Sequence, residues 1–388
     1  MTSYDLIYFA LLPLMVAMLV VSVVHPTLVK IARRKHIVDT PNARKLNKVP
    51  VPMLGGVGVL CGILFAMGVV GCYGFQQSVS VMVVIALVVM LYTGVGDDIL
   101  DFRPRWKFAL QAFVVMLLIV PVGVSIDGLG GLWGLYYLPR WLSVALTLVA
   151  GVGIINAINL IDGVDGLCGM YVMMASLFFG LTFLVVGDTA YAVVAFATFG
   201  ALIPFVLHNM YGTKYKMFLG DGGSLVLGLL SALFALRVVQ IGEQNLDGGL
   251  YAFAFAVLSV PVCDTLRVMT TRMAHGTSPF KPDKRHLHHI FIALGMSHRA
   301  TAFAMVMIGV MVVAVWNIAV AGGADDEMQL YCTLAAALLL TWGVYYTLSY
   351  AIDRDAVWVA SVRDALRRYS LSRTMVIKQL KKILNDKT

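Results

Sequence analysis

The sequence predicts an all-α, polytopic integral membrane bundle of about 11 transmembrane helices, N-terminus outside and C-terminus inside. Three observations carry that prediction. Of 388 residues, 60% are hydrophobic and 13% charged, where soluble domains run near one half and one quarter, and mean hydropathy is +0.86. Apolar runs long enough to cross about 30 Å of hydrocarbon recur from end to end. The basic residues collect on alternate connections, the positive-inside pattern.

The runs occupy roughly 5–25, 51–73, 79–96, 108–126, 141–160, 168–187, 190–208, 222–241, 249–270, 301–321 and 328–350. Continuous stretches such as VMVVIALVVMLY are unlike the alternating strands of a membrane barrel. The first run contains Asp5 and lacks a basic leader, so it reads as a retained helix and not a cleaved signal. If 26–50 faces the cytoplasm, then so do 97–107, 161–167, 209–221, 271–299 and the tail from 351. Every Lys and Arg then lies on that side or at its boundary, except Arg140 and Arg237. Outward connections are short, and no internal repeat is evident. The membrane domain is therefore 1–352, followed by a cytoplasmic tail, 353–388. In the tail Val362, Leu366 and Tyr369 share a helical face, as roughly do Met375, Leu380 and Ile383, with Arg and Lys opposite. That suits a basic amphipathic helix on the inner leaflet or a solvated helical extension.

The net charge of +8 marks membrane orientation and not a nucleic-acid partner. The five cysteines (Cys61, Cys72, Cys168, Cys263 and Cys332) lie in or beside spans and lack C-x-x-C spacing. They predict neither a disulfide framework nor a zinc site.

The acids divide by side. Asp127, Asp188, Glu243, Asp247, Asp325, Asp326 and Glu327 fall in outward loops and read as solvated caps. The inward acids cluster at helix ends: Asp97, Asp98 and Asp101 in GVGDDILDF, Asp162 and Asp165 in NAINLIDGVDGL, and Asp221 in FLGDGGS. Acids close to lipid are functional candidates by default. Adjacent carboxylates such as Asp97 and Asp98 repel unless a cation or a shared proton relieves them, and hard oxygen ligands suit Mg2+. The plain alternative is a helix cap, for the pair and for Asp221 alike. Asn156, Asn159, Asp162 and Asp165 step by three, so on a helix they form one slowly drifting strip. Gly163 and Gly166 permit a turn or close backbone approach to a ligand.

Bases reach the same side from other segments. The loop TRMAHGTSPFKPDKRHLHHIFIALGMSHR supplies Arg272, His275, Lys281, Lys284, Arg285, His286, His288, His289 and His298. Such donors suit diphosphate oxygens. Lys107 follows Arg103 and Arg105, and the first inward segment holds Arg44, Lys45 and Lys48. No Gly-Lys pair occurs, which excludes a P-loop. Carboxylates for Mg2+, bases for phosphate and a membrane setting together suggest phosphate transfer to or from a lipid. The alternatives are a cation-coupled secondary transporter, whose ionisable residues would sit near the midplane, and a non-catalytic scaffold.

The stretches DTPNARKLNKVPVPMLGG, GVGDDILD, NAINLIDGVDGL, FLGDGGS and SPFKPDKRHLHHIF resemble, in order and spacing, the polyprenyl-phosphate N-acetylhexosamine-1-phosphate transferases. The resemblance runs to about residue 350. It implies a bundle of ten or eleven helices in the bacterial inner membrane, often dimeric, with its active site facing the cytoplasm. It also implies transfer of a sugar 1-phosphate from a UDP-N-acetylhexosamine, GlcNAc favoured, to undecaprenyl phosphate, with release of UMP. Within that superfamily the chain is most similar to the initiating enzymes of O-antigen, common-antigen, teichoic-acid or capsule synthesis. The peptidoglycan enzymes typically carry H-H-H where this chain has HLHH, and Lys where it has Asp101. Relatives often have His at the position of Asn47. Carried onto matching positions, the resemblance implies Asn159 and Asp221 as ligands of Mg2+, or of Mn2+. Asp97 and Asp98 become the catalytic pair that binds or deprotonates the lipid phosphate. Asn156, Asp162 and Asp165 lie near the nucleotide, and Lys48, Lys107, Arg285, His286, His288 and His289 contact phosphate. Direct attack on the β-phosphorus and a two-step route through an aspartyl phosphate both remain open.

Overall fold

The computed structural model describes residues 3–39, 49–72, 79–279 and 285–372. Each of the apolar runs becomes a helix. In order these are α1 (Tyr4–Arg34), α2 (Gly55–Gly71), α3 (Val81–Leu100), α4 (Pro104–Ile119), α5 (Arg140–Leu160), α6 (Leu167–Val186), α7 (Thr189–Tyr211), α8 (Gly220–Asn245) and α9 (Gly249–Ala274). A short α10 (Leu287–Ala293) precedes α11 (His298–Ala321), α12 (Asp326–Asp353) and the tail helix α13 (Val357–Ser372). Among the described residues nine helices are long and apolar enough to cross a membrane, which makes this a multi-pass membrane protein. The two short members, α2 with 17 residues and α4 with 16, rise only about 25 Å.

Local chemistry sets the helix ends. Ser80 and Ser297 cap α3 and α11 by accepting from the amides of Met82 and Ala300, and Pro104 opens α4 where its missing N–H costs nothing. The bundle is built around α8, the most enclosed span, with 89% of its apolar window buried against 17% for α12. Phe179, Phe183, Phe234 and Phe253 interlock at centroid distances of 5.9–6.1 Å to join α6, α8 and α9. Pro261 lies inside α9 and cannot donate to the carbonyl four residues back. The Tyr171 hydroxyl donates to that carbonyl, of Val257, at 3.0 Å.

The connections sort into two sets. At one end, a two-residue ladder pairs Val38 with Pro52 and Asp39 with Val51, and the Phe218 amide extends it by donating to the Pro52 carbonyl at 2.7 Å. The loops after α3, α5, α7 and α9 meet there. At the other end, Arg237 pairs with Asp188 (2.7 Å) and Gln240 donates to the Gly123 carbonyl (2.7 Å). The Asp127 amide donates to Glu243 (2.9 Å), and the Gly248 amide to Asp326 (2.8 Å). The acids expected there as solvated caps are thus mostly ties between loops. Asp325 meets the expectation of a cap, accepting from the Met328 amide, and Asp247 is exposed as expected. Arg140 and Arg237, the two bases that depart from the one-sided pattern, are the partners of Asp127 and Asp188.

All five cysteines are free. In the tail, Val359 packs with Leu294 and Ala351, and Arg363 donates to the Ala293 carbonyl at 3.1 Å, so α13 leans on the end of α10. Met375, Leu380 and Ile383 lie outside the described residues.

Candidate active site

Asp97 and Asp98 sit in the last turn of α3, and Asp221 opens α8. What lets these ends meet is the absence of side chains. A Cβ on Gly94 would fall 2.5 Å from the carbonyl carbon of Asp221 and against the backbone of Gly222. Gly220 has φ +73, and a Cβ there would stand 2.7 Å from Asp98 Oδ2. That left-handed conformation is open to glycine at little cost. Asp98 Oδ1 consequently accepts the Asp221 amide at 3.1 Å, a carboxylate held at a helix N-terminus where the macrodipole favours it. Asp98 Oδ2 is buried and has no partner among the described residues.

Lys107, early on α4, reaches back between the acids. Its ammonium bonds Asp97 and lies 2.9 Å from Asp221 Oδ2. Asp97 Oδ1 also accepts the Phe102 amide at 2.9 Å, which pins the turn after α3, where Asp101 adopts φ +52. Asn159, in the last turn of α5, approaches Asp221 Oδ1 at 3.5 Å and bonds Ser224 at 2.7 Å. The helix ends at Leu160, so the three-residue strip breaks. Asp162 and Asp165 lie in a following turn whose Gly166 has φ +79.

A cavity of about 650 Å³ opens beside this group, and its wall includes Asp98, Asn159, Asp162, Asp165, Asp221 and His289. Every connection expected to face inward before the tail contributes to it, with Asp39, Lys216 and His298 from the others. Burial, then the charges of Asp221, Asp98 and Asp165, push the Asp162 carboxyl well above the usual carboxylate range. Burial also works against ionised Asp165, but hydrogen bonds from His298 and Lys216 outweigh it and hold that group below the usual range. Lys216 Nζ is 2.6 Å and His298 Nδ1 3.3 Å from Asp165 Oδ2.

The sequence-derived site residues do not all converge. Asn156 is one turn deeper on α5 and bonds Gln111 (2.7 Å) and the Val152 carbonyl (2.8 Å); it braces α5 against α4 and does not line the cavity. Of His286, His288 and His289, His289 alone lines it, beside His298 from the same loop. His286 is buried on Asp264 at 2.9 Å. His288 is 1% exposed, and burial, then the neighbouring His289 and His286, lower its pKa to about 3, so it is a neutral packing group. The Arg285 side chain is exposed and off the cavity wall. Lys48 lies outside the described residues, as do Lys281 and Lys284. Conversely, Lys216, Asp264 and Arg267 carry structural roles that no motif marked.

Among the described residues no group of three or more His, Cys, Asp or Glu is arranged to hold a metal unaided. Mg2+ usually takes only one or two carboxylates, keeps waters and completes its shell from substrate phosphates. Asp98, Asn159 and Asp221 share the cavity wall, and an ammonium is already drawn between Asp97 and Asp221; side chains of these types could serve such an ion.

The glycosyl transferase family 4 model matches residues 80–239, which contain α3 to most of α8 and hence all these carboxylates. Undecaprenyl-phosphate alpha-N-acetylglucosaminyl 1-phosphate transferase of Escherichia coli O157:H7 is 30% identical over 338 residues, covering 86% of this chain and 82% of the relative. The chain belongs to that transferase family. Membership rests equally on the protein of the same description from Pasteurella multocida, 30% identical with 87% and 93% covered. The Salmonella typhi protein is 28% identical with 90% and 93% covered.

Proposed function

We propose that this chain transfers N-acetylhexosamine 1-phosphate, with GlcNAc as the sugar, from a UDP-sugar to undecaprenyl phosphate; its relatives are named undecaprenyl-phosphate alpha-N-acetylglucosaminyl 1-phosphate transferases. The observation that carries the proposal is the meeting of Asp98, Asn159, Asp162 and Asp221 on one cavity wall at the basic end of the bundle. With that end cytoplasmic, as the positive-inside pattern requires, the protein is a plasma-membrane enzyme that takes a soluble donor and a lipid acceptor at the same face. A transporter would place its acids at the bilayer midplane, whereas these end helices on one side.

In the reaction an oxygen of the lipid phosphate attacks the β-phosphorus of the donor. The new P–O bond joins the two phosphates, the bond from the β-phosphorus to the bridging oxygen breaks, and UMP leaves with that oxygen. Such transfers depend on alignment and charge neutralisation more than on covalent work by the protein. Asp98, with one oxygen tied to the Asp221 amide and the other without a partner among the described residues, orients the attacking phosphate or takes its proton. Lys107 offsets the charge of Asp97 and Asp221 and stands ready to face the diphosphate. Asp165, Lys216, His289 and His298 complete the cavity lining. A bound Mg2+, held by Asp221 and Asn159, would supply Lewis-acid neutralisation of the diphosphate.

The test uses purified protein with UDP-GlcNAc, undecaprenyl phosphate and Mg2+. UMP release that ceases with EDTA, and falls about a hundredfold or more in Asp98→Asn, supports the proposal. Substrate-independent cation flux in liposomes without UMP release would replace it with the transporter.

A further inference from the structure

The histidine segment is gripped from behind by a buried ionic group. Asp264 and Arg267 stand three residues apart on α9, within an apolar run, and each is 1% exposed. Arg267 Nη2 donates to Asp264 Oδ1 at 2.8 Å. The same oxygen accepts the Leu287 amide at 3.0 Å. Leu287 begins α10, and His286 before it provides no side-chain cap, so Asp264 satisfies that helix end from another helix. Asp264 Oδ2 lies 2.9 Å from His286 Nδ1. Arg267 also donates to the Arg285 carbonyl, and its guanidinium lies 3.4 Å from the ring centroid of Tyr345 on α12. Residues 285–287 are thus held at a carbonyl, an imidazole and an amide by two side chains of α9.

A buried ion pair adds little stability over an apolar replacement of similar volume. What it provides is direction. A carboxylate only accepts, so His286 Nδ1 carries the proton and donates, which sets the ring plane and tautomer. The order continues outward by packing. The His286 and His288 rings are 5.7 Å apart and within 5° of parallel, and His288 and His289 are 4.3 Å apart. His288 seats against Gly163, where a Cβ would come 3.0 Å from its Nε2. His289 then reaches the cavity wall.

We propose that Asp264, supported by Arg267, is a positioning residue for the active site: it fixes His286 and, through the packed imidazole rings, places His289 and the Asp162–Asp165 turn at the cavity. Its kinetic consequence rests on the transferase reading; its structural part rests on the contacts between α9 and α10 alone. Tyr345 makes the last span a partner in the same arrangement.

The experiment combines two readouts on the full chain in detergent or nanodiscs. One is kcat/KM for UMP release in Asp264→Asn, His286→Asn and the double variant. The other is hydrogen exchange of peptides covering 285–293 and 161–166, with 123–138 as the control from the opposite end. Asp264→Asn keeps the volume but removes one acceptor, whichever way the carboxamide turns. The expected result is a loss of about tenfold or more, the scale seen when a functional histidine loses its carboxylate partner. The double variant falls no further than the worse single variant, and exchange rises in 285–293 and 161–166 but not in 123–138. Should Asp264→Asn not accumulate, Arg267→Lys, which retains charge but not the planar fork, takes its place in both readouts with the same expectations. Additive losses, or unchanged exchange in 285–293, would overturn the proposal. If the wild-type chain released no UMP, the transferase reading would fall, and the exchange measurement would still decide the positioning role.

Discussion

Replacing Gly94 by alanine adds one methyl group to α3 where α3 crosses the start of α8. The new Cβ would stand 2.5 Å from the Asp221 carbonyl carbon, and ordinary contact begins at 3.4 Å. Helix backbone, and not a flexible side chain, is what it meets, so the two helix ends must separate by about 1 Å. Asp98 and Asp221, now joined at 3.1 Å, are carried by those ends. Overpacking of this kind costs about 1–3 kcal/mol of stability, which leaves a foldable protein, but misplacement by about 1 Å can cost about a hundredfold in rate. Gly94→Ala is therefore expected to purify as a folded protein with kcat/KM for UMP release lowered about a hundredfold. The control is Gly68→Ala on α2, where a Cβ meets nothing within 4 Å and both stability and kcat/KM should match wild type. Measurement is by UMP release and thermal unfolding in one detergent. Gly94→Ala at wild-type rate would refute the claim that glycine contact between α3 and α8 sets the carboxylate geometry.

Two further predictions address the cavity wall and the opposite end. Lys216→Met removes the closest base from Asp165, so KM for the UDP-sugar should rise, by about tenfold, with a smaller change in kcat. Asp165 has a lowered folded-state pKa, so its stabilising contribution is complete above the unfolded value near 3.9 and fades as pH falls through the folded value; Lys216→Met should narrow that acid-side loss in pH-dependent unfolding, and an unchanged acid limb would contradict the pairing. Arg237→Met strands Asp188, which is 12% exposed. A fully buried pair broken this way loses about 3–5 kcal/mol, less here because Arg237 keeps some exposure, so the unfolding midpoint should drop while KM of the surviving protein stays at the wild-type value. A shifted KM would mean that the two ends communicate.

How much of this was legible in the sequence varies with the kind of side chain. The bundle was legible because a bilayer leaves a continuous apolar run one solution, a helix, and all the runs became helices. Asp98, Asn159, Asp162, Asp165 and Asp221 were legible as oxygen donors at helix ends, where their cost in lipid marks them. Their convergence followed from all the inward loops sharing one end of the bundle. The histidines were not separable by motif, since whether His286, His288 or His289 faces the cavity depends on the rotation of a seven-residue helix. Asn156 was misplaced for a related reason: the strip it belongs to is helical only as far as Leu160. Asp264 and Arg267 left a signal, an acid and a base three apart inside an apolar run, but no pattern names their partner, which comes from twenty residues farther along. The outward acids looked solvated because loop-to-loop pairing, such as Asp188 with Arg237, leaves no local trace.

In the proposed reaction Asp221 and Asn159 hold a divalent ion against the donor's phosphates. Electron paramagnetic resonance of Mn2+ bound to the purified protein with UDP tests it most directly. One tightly bound Mn2+ with phosphorus hyperfine coupling from UDP is expected, lost in Asp221→Ala. The same bound signal in Asp221→Ala, or bound Mn2+ without phosphorus coupling in the wild type, would contradict it.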